Sequence, residues 1–170
     1  KKTGAQTLIT ICPYCYRVFK EHPSYKGLAL EVKHITQFLK DFDFGVKTDK
    51  KVTYHDPCDL GRHAGIYEEP REIIHKIAPN FVEPRRTREN AMCCGAGGGF
   101  RGAFPKESVK ISKNRLDQMV EETGAEIVLT ECPSCLHNFR NAKRRLKVEI
   151  YNITEFIARL LHEKREKEAD

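Results

Sequence analysis

Val128-Leu-Thr-Glu-Cys-Pro-Ser-Cys-Leu-His-Asn-Phe139 decides how this chain reads, because Leu8-Ile-Thr-Ile-Cys-Pro-Tyr-Cys-Tyr-Arg-Val-Phe19 repeats its plan near the other end. In each copy a short β-rich stretch, Glu126–Glu131 or Thr7–Ile11, runs into a Cys-Pro-x-Cys. Proline suits the first helical position, since its fixed φ is already helical and its missing N–H would have no partner there. Each copy therefore predicts strand, turn, helix. A second echo follows each, His34-Ile-Thr-Gln-Phe-Leu39 and Asn152-Ile-Thr-Glu-Phe-Ile157. Matching residues in one order at nearly equal separations imply two related units.

Working outward, Leu28–Val32 and Leu146–Ile150 read as the strands that precede the second echo. The closing segment places Ile153, Phe156, Ile157, Leu160 and Leu161 on one helical face. Asn152 is the expected cap of that helix, with Glu155 reaching back. Between the copies, Lys51–His55 reads as a strand and Glu69–Ala78 as a helix with Pro70 near its start and Ile73, Ile74 and Ile77 inward. Phe81–Glu83 reads as a short strand. Lys106–Thr123 reads as a long amphipathic helix burying Val109, Leu116, Met119 and Val120, stopped by Gly124. Strands alternating with helices predict an α/β fold, βα units building a mainly parallel sheet with flanking helices. Residues 48–170 are expected to form a complete unit, with 1–47 the C-terminal remnant of a preceding one in a longer protein. Glu163–Asp170 is polar apart from Ala169 and reads as a frayed, solvated helix end.

At 170 residues and 39% hydrophobic content the chain can bury a modest core, built from Ile, Leu, Val and Phe because Trp is absent. The net charge of +6 includes two denser patches, Arg85–Arg86–Arg88 and Lys143–Arg144–Arg145–Lys147. Neither interleaves aromatic residues, so they read as solvated faces and not as a nucleic-acid site. Their best functional use is docking an acidic redox partner. No apolar stretch approaches the ~20 residues of a membrane span, and the first residues contain no signal-peptide core.

Seven cysteines, two of them adjacent, leave one thiol over in any disulfide scheme. Clustered cysteines without a secretory signal point to metal or redox chemistry and to a reducing cytoplasm. The spacing is Cys58-x34-Cys93-Cys94-x37-Cys132-x2-Cys135. In an α/β fold all three groups fall at the carboxyl ends of strands, where such sheets place their sites. Five converging thiols exceed the four ligands of a mononuclear zinc and favour a multinuclear centre. Gly95 and Gly97, in Gly95-Ala-Gly-Gly-Gly99, let backbone approach a bound object, and successive N–H groups there form an anion nest. The loop lacks the GxGxxG order of a dinucleotide site. A helix starting at Cys132 adds positive potential that favours thiolates.

Plainer readings stand beside these. Free cysteines can be buried small hydrophobes. A thioredoxin-like strand-CxxC-helix accounts for one motif but leaves Cys58, Cys93 and Cys94 unexplained. His55 and Asp56 fit a turn ending at Pro57 or hydrogen bonds that orient a ligand from behind. His63 and His137 are surface residues or proton donors to a thiolate product, and Arg62 and Arg101 are surface charge or anion holders.

His55-Asp-Pro-Cys-Asp-Leu-Gly-Arg62, Cys93-Cys-Gly-Ala-Gly-Gly-Gly-Phe100 and Cys132-Pro-Ser-Cys135 together resemble the cysteine-rich CCG domain. That domain occurs in catalytic subunits of heterodisulfide reductases and in iron–sulfur subunits of lactate, glycolate and glycerol-3-phosphate oxidising systems. The resemblance covers about residues 51 to 157 and is greatest to heterodisulfide reductase relatives. It implies a noncubane [4Fe–4S] cluster on Cys58, Cys93, Cys94, Cys132 and Cys135, passing electrons to a disulfide substrate. It also implies tandem domains, with Cys12 and Cys15 the closing Cys-x-x-Cys of the first. The upstream cysteines of that first domain are missing, so the chain alone is not expected to be a competent reductase. The implied partners are other subunits or domains of a redox complex, ferredoxin-like or flavin-bearing. Two alternatives stay open: an electron relay for a flavin-dependent dehydrogenase, and a structural zinc module.

Overall fold

The computed structural model describes residues 3–27, 29–143 and 146–169. In chain order the elements are β1 (Thr7–Thr10), α1 (Pro13–Glu21), β2 (Glu31–His34), α2 (Ile35–Leu39), β3 (Val52–His55), α3 (Glu68–Ile77), α4 (Phe100–Ala103), α5 (Pro105–Thr123), β4 (Ile127–Thr130), α6 (Pro133–Ala142), β5 (Glu149–Asn152) and α7 (Ile153–Ala169), with short 3-10 turns at Pro23–Tyr25 and Arg88–Asn90. Every strand pairing is parallel: β1 with β2 in one sheet, and β3-β4-β5 in order in the other. The α/β expectation is met.

The larger sheet is buried on both faces, and all four residues of β3 and of β4 are buried. Side chains alternate across a strand, so one strand feeds two cores. Val52, Tyr54, Ile127 and Leu129 pack against Ile73, Ile74 and Ile77 of α3 and Ile153, Phe156, Ile157 and Leu160 of α7. Val128 and Ile150 face the other way, toward Leu116 and Met119 of α5 and Phe139 of α6. Each such side chain taken fully out of water contributes about 1.5–3 kcal/mol. His55 shares this second face, its ring edge-on to Phe139 at 4.8 Å between centroids.

The repeat is visible in the registers. Thr7↔Glu31 through Thr10↔His34 matches Ile127↔Glu149 through Thr130↔Asn152, each pair flanking a Cys-Pro-x-Cys helix. The smaller sheet leans on the larger unit through α1. Tyr16 packs with Leu60 and Ile66, and Arg17 pairs with Asp59 at 2.5 Å.

Several boundaries differ from the sequence expectation. β2 and β5 begin about three residues later than Leu28 and Leu146, because each must end at the residue that opens the following helix, His34 or Asn152. Leu28, Arg144 and Arg145 lie outside the described residues, as do Lys1, Lys2 and Asp170. Phe81 forms a single parallel bridge to Val52 in place of a strand. On α5, Leu116 and Met119 are buried as expected, but Val109 and Val120 are only half-buried. Ser108, Ser112 and Arg115 occupy the inward face instead. Asn152 does not cap α7 with its side chain; its Oδ1 has no hydrogen-bond partner among the described residues. Buried Glu131, just past β4, accepts from the Ile153 N–H at 2.7 Å and the Thr154 N–H at 3.4 Å, while Glu155 pairs with Arg140. From Lys164 to Ala169 the tail is exposed, as expected. α7 stays helical to Ala169, supported by (i, i+4) pairs Arg159–Glu163, His162–Glu166 and Lys164–Glu168.

No helix among the described residues is long and apolar enough to cross a membrane. In the first basic patch Arg85 pairs with Glu122, and Arg88 with Glu68 and Glu83.

Candidate metal centre

The parallel topology puts the cysteines at one end of the sheet. Cys58 lies three residues past β3, Cys132 is the N-cap of α6 just past β4, and Cys135 sits in the first turn of α6. Cys93 and Cys94 arrive on the loop before α4 and α5. The Cys94 and Cys135 sulfurs lie 3.1 Å apart, both buried, and all seven cysteines are free thiols. The His55 imidazole completes a group with them, one ligand atom of each falling within 4.8 Å of the others. Cys58, Cys93, Cys94 and Cys135 line one narrow cleft together with His55, Asp56, Arg62 and Arg88. Cys132 reaches the same sulfurs from the other side, through its hydrogen bond with Cys135.

Electrostatics shifts the thiols in opposite directions. Hydrogen bonds from Cys135 and then Cys93 push Cys94 far down, against the effect of burial. The same contacts push Cys93 up, and its hydrogen bond with Cys132 pushes Cys135 up. Cys132 falls below its ordinary value through its hydrogen bond with Cys135 first and through the N–H groups of Cys135 and Ser134 at the start of α6. Burial raises Cys58, which also senses charge on Cys94 and Cys132. Of the residues expected from sequence, Cys93, Cys94, Cys132 and Cys135 form a chain of sulfur contacts, and Cys58 faces them across the cleft.

In the glycine loop, Gly95 is closely packed. Gly95 has φ +78°, and a Cβ there would lie 2.8 Å from the Ser108 carbonyl and 3.1 Å from Ile111 Cβ. Its N–H donates to Cys93 Sγ at 3.2 Å. Gly97 meets no atom within 4 Å and has no positive φ.

Residues that sequence reasoning passed over hold this loop in place. Ser108 Oγ donates to the Gly95 carbonyl at 2.7 Å, and Asn138 Nδ2 donates to the Cys94 carbonyl at 2.8 Å. Helical spacing was the available signal. Cys135, Asn138, Phe139 and Ala142 share one buried face of α6, so a polar Asn138 there must serve a buried partner.

Asp56 anchors the Cys58 loop. Arg71 donates to both Asp56 oxygens at 2.8 and 2.9 Å and to Glu83 at 2.7 and 2.9 Å; Thr87 Oγ1 and the Arg88 N–H also donate to Asp56. Burial alone would raise Asp56, but the hydrogen bonds and charge of Arg71 bring it below its ordinary value. Arg62 is engaged too, donating to the carbonyls of Glu89 and Ala91 at 2.8–3.3 Å and so tying the Cys58 loop to the approach of Cys93. Arg101 contacts His137, which is exposed, as is His63. Cys12 caps α1, its Sγ 3.4 Å from the Cys15 N–H; burial pushes it up to about 11, and it senses the charge of Cys132.

A sulfur-only donor set of this size selects soft metals, zinc or iron–sulfur, over oxygen-loving ions. Cys94 and Cys135 touch, and Cys93, Cys132 and Cys58 lie around them as further donors.

The profile of the cysteine-rich CCG domain matches residues 52–140, just over half of the chain. The dihydromethanophenazine:CoB–CoM heterodisulfide reductase of Methanosarcina barkeri contains a polypeptide that is 38% identical over 173 aligned residues, 95% of this chain and 42% of that protein. Its counterpart in Methanosarcina acetivorans is 35% identical over the same shares. The probable iron-sulfur-binding oxidoreductase FadF of Bacillus subtilis is 32% identical over 93% of this chain and 24% of its own length. The chain thus spans less than half the length of these relatives.

Proposed function

The chain belongs to the cysteine-rich CCG domain family, and from that premise we propose that it is an iron–sulfur redox domain of a heterodisulfide reductase-like oxidoreductase. The observation that carries this reading is the contact of the Cys94 and Cys135 sulfurs at 3.1 Å, at the carboxyl end of a parallel sheet, with Cys93, Cys132 and Cys58 around them. Cys58, Cys93, Cys94, Cys132 and Cys135 hold a noncubane [4Fe–4S] cluster. When bound, the cluster supplies electrons, singly, to a disulfide. The protein's own part is to supply thiolates, hold their loops and keep water out. Cys94 and Cys132 are shifted toward the thiolate, Cys94 by hydrogen bonds with Cys135 and Cys93, and Cys132 by its hydrogen bond with Cys135 and by N–H groups at the start of α6. Ser108 and Asn138 fix the Cys94–Gly95 backbone, and Arg71 with Asp56 fixes the turn that carries Cys58.

In this proposal residues 1–47 and 48–170 belong to two related units, supported by the matched registers of β1/β2 and β4/β5. Its partners are other subunits of a redox complex, and its substrate is a disulfide. A relay role toward a flavin dehydrogenase is the second reading. It is favoured by a relative 30% identical over 91% of this chain, the EtfAB:quinone oxidoreductase of Syntrophomonas wolfei. Single Cys→Ala variants, purified anaerobically, test the ligand set. Iron content and the visible spectrum should change for Cys58, Cys93, Cys94, Cys132 and Cys135, and stay as wild type for Cys15. An unchanged spectrum in Cys94→Ala would refute the five-thiol assignment.

A further inference from the structure

Among the described residues two arginines are buried, and they are treated differently. Arg71, 3% exposed, is clasped by Asp56 and Glu83. Arg115, on the inward face of α5, is fully buried and has no carboxylate partner among the described residues. Its Nη1 donates to Gln118 Oε1 at 2.5 Å, its Nε lies 3.4 Å from His55 Nδ1, and its Nη2 has no partner among the described residues. Burial pushes it down to about 10, so it stays charged at neutral pH. A buried, unpaired guanidinium is costly unless something nearby carries the opposite charge. Of the two carboxylates that act on it, Asp56 is already engaged by Arg71 and Glu122 by Arg85.

His55 joins Arg115 to the sulfurs of the cleft. Arg115 Nε always carries hydrogen, so its contact makes Nδ1 the acceptor and leaves the ring proton on Nε2. That ring interacts with the Cys94 sulfur and belongs to the His55–Cys94–Cys135 group. His55 is thereby set as a donor to a thiolate and not as a metal ligand. A ligating imidazole commonly has its second nitrogen donating to a carboxylate or carbonyl. Here that nitrogen accepts from a cation.

We propose that Arg115 is a positioning residue that fixes His55 as an Nε2–H donor to Cys94 and serves as the buried counter-charge of the sulfur-bound group. The inference rests on the iron–sulfur reading above. Each electron added to a thiolate-bound cluster adds one negative charge. A fixed positive charge one imidazole away favours the reduced form, more so because low dielectric screens it weakly. Arg115 therefore holds the reduction potential up.

The test is a potentiometric titration of the holoprotein, followed by electron paramagnetic resonance, for wild type, Arg115→Gln and Arg115→Lys, with iron and sulfide assayed on each. Arg115→Gln should shift the reduction equilibrium about tenfold toward the oxidised form, about 59 mV lower for a one-electron couple. Arg115→Lys keeps the charge and should recover most of that shift. An unchanged midpoint in Arg115→Gln at wild-type iron and sulfide overturns this inference and leaves the cluster assignment standing. Wild-type protein without iron and sulfide overturns both. If Arg115→Gln does not load, the wild-type holoprotein labelled with 15N-histidine decides. A histidine nitrogen and an exchangeable proton should show hyperfine coupling to the cluster, and their absence overturns the proposal.

Discussion

Arg71→Met removes a guanidinium that makes six short contacts: two to Asp56, two to Glu83, one to the Tyr67 carbonyl and one to Thr87. Asp56 is 3% exposed and would keep only Thr87 Oγ1 at 2.9 Å and the Arg88 N–H at 2.8 Å. Breaking a buried pair from one side leaves a charge that water cannot reach, which costs about 3–5 kcal/mol. Glu83, 28% exposed, adds little because solvent takes up its charge. For a chain of this length each kcal/mol moves the melting point by about 2–4 °C, so the fall should be roughly 6–20 °C. Urea unfolding at matched metal content measures it. Arg71 brings Asp56 and Glu83 below their ordinary carboxylate values against the push of burial. Groups with depressed folded values stabilise above the ordinary carboxylate range, and that contribution disappears as pH falls through the folded values. The gap between wild type and Arg71→Met should therefore be largest at neutral pH and shrink as pH falls through the carboxylate range, from the raised value of Asp56 in the variant to its lowered value in wild type. Arg71→Met with Asp56→Asn should be more stable than Arg71→Met alone, since no stranded charge remains. A loss under about 1 kcal/mol, the range of exposed ion pairs, would refute the reasoning, and so would a gap that ignores pH.

Gly95→Ala should lose about 1–3 kcal/mol, from its left-handed φ and from overpacking against Ser108 and Ile111, and should reduce iron content. Gly97→Ala, into open space, should be within about 0.5 kcal/mol of wild type by the same unfolding assay. Glu131→Ala strips α7 of its tertiary cap and should cost about 1–2 kcal/mol, with hydrogen exchange accelerated at Ile153 and Thr154. Asn138→Leu leaves the Cys94 carbonyl without its donor at 2.8 Å and should lower metal affinity about 10–100-fold in a chelator competition.

Much of the fold was legible because its signals are local. Two Cys-Pro-x-Cys sequences, each after a short β-rich run, place β1/α1 and β4/α6, and the isoleucines of α3 sit at helical spacing. The cysteine grouping followed from the same logic, since parallel strands gather their following loops at one end. What stayed hidden depends on contacts between distant segments. Arg71 reads as surface charge until Asp56 and Glu83 are brought to it, fifteen and twelve residues away. Ser108, Ser112 and Arg115 look like the wet side of α5, yet they share its buried helical face with Met119, and Ser108 donates to the cysteine loop. Glu131 resembles an ordinary strand end, and only the return of β5 beside β4 makes it the cap of α7. Arg71, Ser108, Arg115 and Glu131 are buried polar residues that serve partners from distant segments.

The central claim is that these five thiols hold an iron–sulfur cluster, and metal analysis of anaerobically purified protein tests it most directly. About four irons and four sulfides per chain, with broad visible absorption, is the predicted result. One zinc per chain, colourless and without iron or sulfide, would contradict it and leave a structural metal module.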